Sequence, residues 1–251
     1  IVRSFSGTDV TLVRMPRRMG KPGVLQELYR HSHGSVLVFT DADTVFAPDT
    51  VRNLVIPFSD PGTGCVDGAR RNSLEGETCE SAYWRYEKTV KSLCSSLGAV
   101  LGATGAVFAL RREAFMPLSE NRSDDFELAV MARILGYRCL FNPAAAAAEP
   151  SPDDRTQYRR MVRITSWMIS SCLLLMGRAM AKGRIFLVLQ LLLHKMLRWF
   201  SGFFLVVSTL LAAILSGTAF YLAIFILACV FHVSAAAGAA LKGRLPSMMM
   251  F

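Results

Sequence analysis

Apolar and polar positions follow two regimes along the chain. Up to about Arg163, short apolar runs alternate with polar breaks rich in Gly and Pro; beyond Ile164 the apolar runs lengthen. Val10–Val13 reads as the end of a strand, followed by the basic turn Arg14–Pro22. Val24, Leu25, Leu28 and Tyr29 have helical spacing over Val24–His31, with Gly34 as the stop. Val36-Leu37-Val38-Phe39 is an uninterrupted apolar run, which predicts a parallel strand buried on both faces. Pro48 or Asp49 opens a further helix with Val51, Leu54 and Val55 as its inner face, and Cys65–Ala69 is another short strand. Strand, helix, strand, helix, strand is the pattern of a doubly wound α/β sheet.

The next helix starts near Glu80 and carries Tyr83, Trp84, Val90, Leu93, Cys94 and Leu97 as an expected core stripe. Gly98–Leu110 contains Gly102 and Gly105, small residues that suit close approach by a ligand or by another strand equally well. Ser123 or Asp124 is a suitable N-cap for the helix Phe126–Leu135, and Gly136 a suitable residue just past its end. Tyr137–Phe141 reads as a strand. The alanine run Ala144–Ala148 carries no chemistry of its own.

Beyond Ile164 the pattern points to a membrane. Ile164–Gly177 is apolar but too short to span. Ile185–Leu193, followed by His194, Lys195 and Arg198, resembles a helix lying in the interface. Trp199–Gly217 and Ala219–Leu241 are each long enough to cross the hydrocarbon core, which needs about 20 residues, with Ser216-Gly217-Thr218 as the turn between them. Lys195 and Arg198 before the pair, with Lys242 and Arg244 after it, place both ends in the cytoplasm. His232 inside the second span is expected to pack, neutral, between the two helices.

Composition strengthens the membrane reading. The 251 residues are 52% hydrophobic with net charge +9 and mean hydropathy +0.36. Basic residues crowd between Arg155 and Arg198, beside long apolar runs, which favours an anionic membrane surface over nucleic acid. Six scattered cysteines without a C-x-x-C pair argue against a zinc site or disulfide framework and fit a reducing cytosol. Ile1 is not a natural start residue, so the chain reads as a fragment.

Candidate chemistry gathers at two places. Asp41 and Asp43 follow the apolar run Val36–Phe39 at i, i+2, where side chains of an extended backbone share one side. They can converge on one hard cation, or equally form an acidic surface turn. Asp125 in the first turn of a helix is held ionised by the helix dipole and suits a general base; capping by Asp124 and Asp125 is the other reading.

The order of these signals carries more than each alone. Gly20-Lys21, Thr40-Asp41-Ala42-Asp43, Glu80-x-x-Tyr83-Trp84-Arg85-Tyr86-Glu87, Gly102-Ala-Thr-Gly105, Asp124-Asp125-Phe126, Gly136-Tyr137-Arg138, Glu149 and Arg159-Arg160-Met-Val-Arg163-Ile164 come in succession. Together they resemble the membrane-bound family-two glycosyltransferases, the cellulose-synthase-like group with a GT-A fold, over roughly Val10 to Arg198. The resemblance implies that Asp41 and Asp43 hold the nucleotide-sugar and its divalent metal, Mg²⁺ or Mn²⁺, and that Asp125 is the base that deprotonates the acceptor. It places Lys21 near the nucleotide, Asp124 and Gly105 around donor and acceptor, and Arg163 or Arg160 at the diphosphate. A base opposite the leaving group implies inversion at the anomeric carbon.

Two departures stand out. The family's Gln-x-x-Arg-Trp appears as Arg160-x-x-Arg163-Ile164, or in a second register as Gln157-x-x-Arg160-Met161; the missing Trp speaks against long-chain polymerisation. The first GT-A strand should precede Ile1. The resulting layout is a cytosolic GT-A domain over 1–163, interfacial helices over 164–198, two spans over 199–241 and a tail over 242–251. The implied function is sugar transfer from a nucleotide-sugar, a UDP-sugar by preference, to a glycan or lipid-linked acceptor at the inner membrane, with membrane lipids as partners and no nucleic acid. Transfer to a polyprenyl phosphate and a non-catalytic membrane subunit are the alternative readings.

Overall fold

The computed structural model describes residues 10–71, 82–118, 122–148 and 154–241, the stretches 82–84, 154–161 and 239–241 by backbone alone. In chain order these form α1 (Gly20–His31), β1 (Val36–Phe39), β2 (Val45–Phe46), α2 (Thr50–Val55), β3 (Thr63–Arg71), α3 (Ala82–Ser96), β4 (Phe108–Arg111), α4 (Asp124–Ile134), β5 (Arg138–Ala148), α5 (Asp154–Ala181), α6 (Ile185–Leu191), α7 (Leu197–Trp199), α8 (Ser201–Ile214) and α9 (Ala219–Leu241). They divide into two compact units, residues 1–191 and 192–251.

The first unit is built on one mixed sheet of order β1-β4-β3-β5-β2. Strand β3 runs parallel to β5, while β1–β4, β4–β3 and β5–β2 are antiparallel. Period-two alternation splits the core in two. Cys65, Phe108, Leu110, Cys139 and Phe141 face Leu128, Ala129 and Ala132 of α4, with Leu25 of α1 against them. Val66, Val107, Ala109, Ala145 and Ala147 face Leu54 and Phe58 on the other side. Helices thus cover both faces, as the alternating pattern predicts. The alanine run belongs to this second core, where small side chains let α2 approach the sheet. Gly68 lets the neighbouring chain segments within the sheet close in: a Cβ there would lie 2.6 Å from the Ala145 carbonyl oxygen.

Several local expectations change. β1 pairs antiparallel with β4 and is an edge strand among the described residues, so Val38 is partly exposed rather than buried on both faces. Val10–Val13 forms no described strand; without a described neighbour, Val10 and Leu12 remain exposed. Helix α1 begins at Gly20, four residues earlier than its apolar spacing suggests, and ends at His31 as expected, with Ser32 as its C-cap. Pro22 is compatible with that first turn because it needs no intrahelical N–H partner there. The inner face of α2 is Thr50 and Leu54, not Val51 and Val55, because Thr50 donates to the Ala146 carbonyl and rotates the helix accordingly. Leu93 on α3 and Leu97 just past its end are 65% and 75% exposed, while Cys94 packs on the core. The expected features at Glu80, Glu149, Lys242 and Arg244 lie outside the described residues, as do the side chains of Tyr83 and Trp84.

Helix α4 has the predicted boundaries: Ser123 is the N-cap, and Gly136 follows with φ of 101°. It is buried along nearly its whole length, packed between the sheet and α5. The segment Ile164–Gly177 is the middle of the 28-residue α5. Polar residues Asp154–Arg163 extend the helix backwards, and Val162–Ala181 is long and apolar enough to cross a membrane. Its Ser171, Cys172, Leu175 and Ala179 are nevertheless buried, and Ser171 donates to Glu127 of α4.

In the second unit a π-helical turn, Leu192–Met196, leads into α7. Helix α8 spans 14 residues, shorter than the expected Trp199–Gly217, because a 66° bend separates it from the preceding helical segment. Ala219–Gly238 in α9 is long and apolar enough to cross a membrane. Thr209 Oγ1 and His232 Nε2 lie 3.2 Å apart between α8 and α9, the packed position expected for His232.

Candidate active site

The chain leaves β1 at Phe39 and turns at once, the Thr44 N–H donating to the Asp41 carbonyl at 3.2 Å. That turn presents Asp41, half-buried, and Asp43, exposed. The first turn of α1 brings Lys21 to the same place. Its Nζ lies 2.8 Å from Asp41 Oδ1 and 3.3 Å from Asp124 Oδ2, so one ammonium joins the turn after β1 to the start of α4. Burial pulls the Lys21 ammonium down, but Asp124 and then Asp41 more than offset this, leaving it above its ordinary value. Burial, then the neighbouring Asp125, pushes the Asp124 carboxyl up, with Lys21 opposing.

Asp125 is oriented by its own helix start. The Ser123 hydroxyl donates to Asp125 Oδ1 at 2.5 Å, and the Phe126 N–H donates to the same oxygen at 2.8 Å. Ser123 therefore orients the carboxylate instead of capping a free backbone N–H. The other oxygen, Oδ2, faces Gly105. A Cβ built on Gly105 would lie 3.2 Å from Oδ2 and 3.5 Å from Lys21 Nζ. Gly105 is thus the close-approach position, and Gly102 with φ of 86° makes the preceding turn possible.

Five of the residues singled out in the sequence, Lys21, Asp41, Gly105, Asp124 and Asp125, therefore meet in one place. Asp43 lies on the same turn as Asp41. Arg163 is exposed on α5, its guanidinium 5.3 Å from the Trp167 ring centroid one turn along. Only the backbone is described at Arg160.

Sequence reasoning missed a second polar group behind this site. Asp67, in the middle of β3 and 1% exposed, accepts from Lys91 Nζ at 2.7 Å and from the Thr104 N–H at 2.6 Å. The available signal was a single carboxylate inside the apolar strand Cys65-Val66-Asp67-Gly68-Ala69. Glu127 was also missed: it is buried and holds Arg122 and Ser171 at 3.4 and 3.1 Å.

The sequence profile described as "Glycosyltransferase like family 2" matches residues 1–169. Two N-acetylglucosaminyltransferases, from Rhizobium leguminosarum bv. viciae and Mesorhizobium japonicum, are each 25% identical over 163 and 165 residues, or 58% and 59% of this chain. Those alignments cover 38% and 39% of the relatives, so the chain spans about two-fifths of the length of the curated relatives it matches. Among solved structures, the mannosyltransferase PcManGT from Pyrobaculum calidifontis, in complex with GDP-Man and Mn²⁺, is similar with a TM-score of 0.61 and 22% identity. That similarity covers 96% of this chain and 73% of the mannosyltransferase, and it shows a shared GT-A fold. With a family profile running from the first residue through the sheet, the carboxylate turn and α4 into α5, the chain belongs to glycosyltransferase family 2.

Proposed function

We propose that this chain carries the catalytic domain of a membrane-bound, cellulose-synthase-like glycosyltransferase that inverts the anomeric centre. It takes a sugar from a nucleotide-sugar, in the first instance UDP-N-acetylglucosamine, to a glycan or lipid-linked acceptor at the cytoplasmic face of the inner membrane. The sugar follows the names of the two relatives. The membrane context follows the apolar stretch Ala219–Gly238, with 1–163 as the catalytic domain, 164–198 interfacial and 199–241 spanning. The observation that carries the reading is the convergence of Asp125 Oδ2, Gly105, Lys21 and Asp41.

Each residue has a physical task. Asp125 Oδ1 is occupied by the Ser123 hydroxyl and the Phe126 N–H, which leaves Oδ2 to take the proton of an acceptor hydroxyl beside Gly105. Gly105 leaves room there for a sugar. Lys21, and Arg163 or Arg160 from α5, supply positive charge toward the leaving diphosphate.

Asp41 and Asp43 are the residues that would hold a divalent cation. Among the described residues no group of three or more His, Cys, Asp or Glu side chains forms a cation cage; the donors on offer are the Asp43 carboxylate and the Asp41 oxygen that does not hold Lys21. That set fits Mg²⁺ or Mn²⁺ bound through one or two carboxylates together with substrate phosphates. The ion would supply charge neutralisation at the diphosphate. The test is sugar transfer by the full-length protein in membranes with UDP-N-acetylglucosamine and Mn²⁺. Transfer lost on chelation, restored by Mn²⁺, and absent in Asp43→Ala is the expected result; Asp43→Ala transferring at the wild-type rate would exclude this assignment.

A further inference from the structure

We propose that Asp67 and Lys91 form a clamp that positions the Gly102–Gly105 turn against the Asp125 carboxylate, and so set the rate of the transfer step without touching the donor. The inference rests on the reading of this site as a glycosyl-transfer centre.

Asp67 lies in β3 on the core face of Cys65, beside Phe108 and Phe141, and is 1% exposed. A carboxylate buried among aromatic and sulfur-containing side chains is expensive unless its lone pairs are met by strong donors. Both oxygens are met. Oδ1 accepts from the Thr104 N–H at 2.6 Å and Oδ2 from Lys91 Nζ at 2.7 Å. The ammonium also donates to Thr104 Oγ1 at 3.1 Å and lies 5.5 Å from the Phe141 ring centroid.

Thr104 is held on every polar group, since its carbonyl accepts from the Val107 N–H at 2.9 Å. The β3–β4 ladder needs no charge at this place; what the charge fixes is the turn. The very next residue is Gly105, whose missing Cβ would be 3.2 Å from Asp125 Oδ2. A few tenths of an ångström of drift at Thr104 would carry Gly105 toward or away from the oxygen that takes the acceptor proton. Asp67 and Lys91 are therefore positioning residues, acting through Thr104.

The experiment compares full-length wild-type protein with Asp67→Asn, Lys91→Met, the double variant and Lys91→Arg. It measures kcat and KM for UDP-N-acetylglucosamine, calorimetric binding of UDP with Mn²⁺, and hydrogen exchange at the Thr104 amide. The single variants should lose on the order of 10- to 100-fold in kcat, the cost of small misplacement at a reacting centre. UDP binding should stay within about threefold, the double variant should be no worse than the worse single because the pair acts as a unit, and Lys91→Arg should recover most of the rate. Lys91→Met, at a partly exposed position, keeps the test valid if Asp67→Asn does not fold. Unchanged kcat in Lys91→Met, or a loss of UDP binding as large as the loss of kcat, overturns the clamp. If the wild type transfers no sugar, the functional reading falls by itself. The clamp is then judged by exchange alone: slow at Thr104 in the wild type and fast in Lys91→Met supports it, and equal rates overturn it.

Discussion

Asp125 sits at the start of a helix buried along nearly its whole length, with one carboxylate oxygen tied by two donors. Arg163 sits on an exposed turn of α5, its guanidinium over the ring of Trp167 on the same helix. Both belong to the motif set, yet they are built in opposite ways. The carboxylate side is organised before anything binds: Lys21 ties Asp41 to Asp124, and Asp67 ties down the turn at Gly105. A preorganised group spends little on reorganisation when charge develops beside it. The arginine side is a long, exposed cation on a helix face, which in the proposed reading is ordered only by a bound diphosphate. Substitutions at Asp125 and at the Gly105 turn should therefore strike the chemical step, and those at Arg163 or Arg160 should strike donor binding.

The largest expected separation concerns the base. Asp125→Ala should lower kcat by about 10²–10⁴-fold, the usual worth of a general base, while UDP still binds with Mn²⁺. Arg163→Ala should act the other way, raising KM for the nucleotide-sugar by roughly tenfold, the loss of one charge-assisted hydrogen bond. The same measurement on Arg160→Ala decides the register, since only the variant that touches diphosphate should show the shift.

The smallest effect is on stability. Asp124 binds its proton more tightly folded than unfolded, because burial and Asp125 raise it above the ordinary 3.8. A raised pKa contributes stability that is fully present below the unfolded value and lost as pH rises through the folded one. Ionised Asp124 thus opposes folding at neutral pH. Asp124→Asn should raise the thermal midpoint of the full-length protein at pH 7, and that advantage should disappear below about pH 3.8. A variant less stable than wild type at pH 7 would show that the Lys21 contact outweighs the burial cost.

What was legible in the sequence was local. Ser123 and Gly136 mark the two ends of α4 by residue type alone, a short polar side chain before the first turn and a glycine with φ of 101° after the last. The alternating core of β3 and β4 follows from side chains two apart sharing a face. Strand direction was not legible: Val36–Phe39 is apolar enough for a central parallel strand, but its partner β4 arrives from about 70 residues away and pairs antiparallel. Helix faces were ambiguous where apolar residues cover more than one side. On α2 a single hydroxyl, Thr50 on the Ala146 carbonyl, decides the rotation, and Leu93 on α3 and Leu97 just past its end stay outside while Cys94 turns in. Asp67 was invisible for a different reason. Its partners Lys91 and Thr104 lie 24 and 37 residues away, so no spacing rule connects them. The convergence of Lys21, Asp41 and Asp125 could be anticipated only because the motifs came in a familiar order.

In the proposed reaction Asp125 removes the acceptor proton, while Asp41 and Asp43 hold the donor end. Asp125→Asn, which keeps the shape and one acceptor oxygen, tests this most directly in the full-length protein. Sugar transfer from UDP-N-acetylglucosamine and Mn²⁺-dependent UDP binding are measured on the same preparation. The account predicts wild-type UDP binding with transfer reduced by about two orders of magnitude or more. Transfer at the wild-type rate would contradict it.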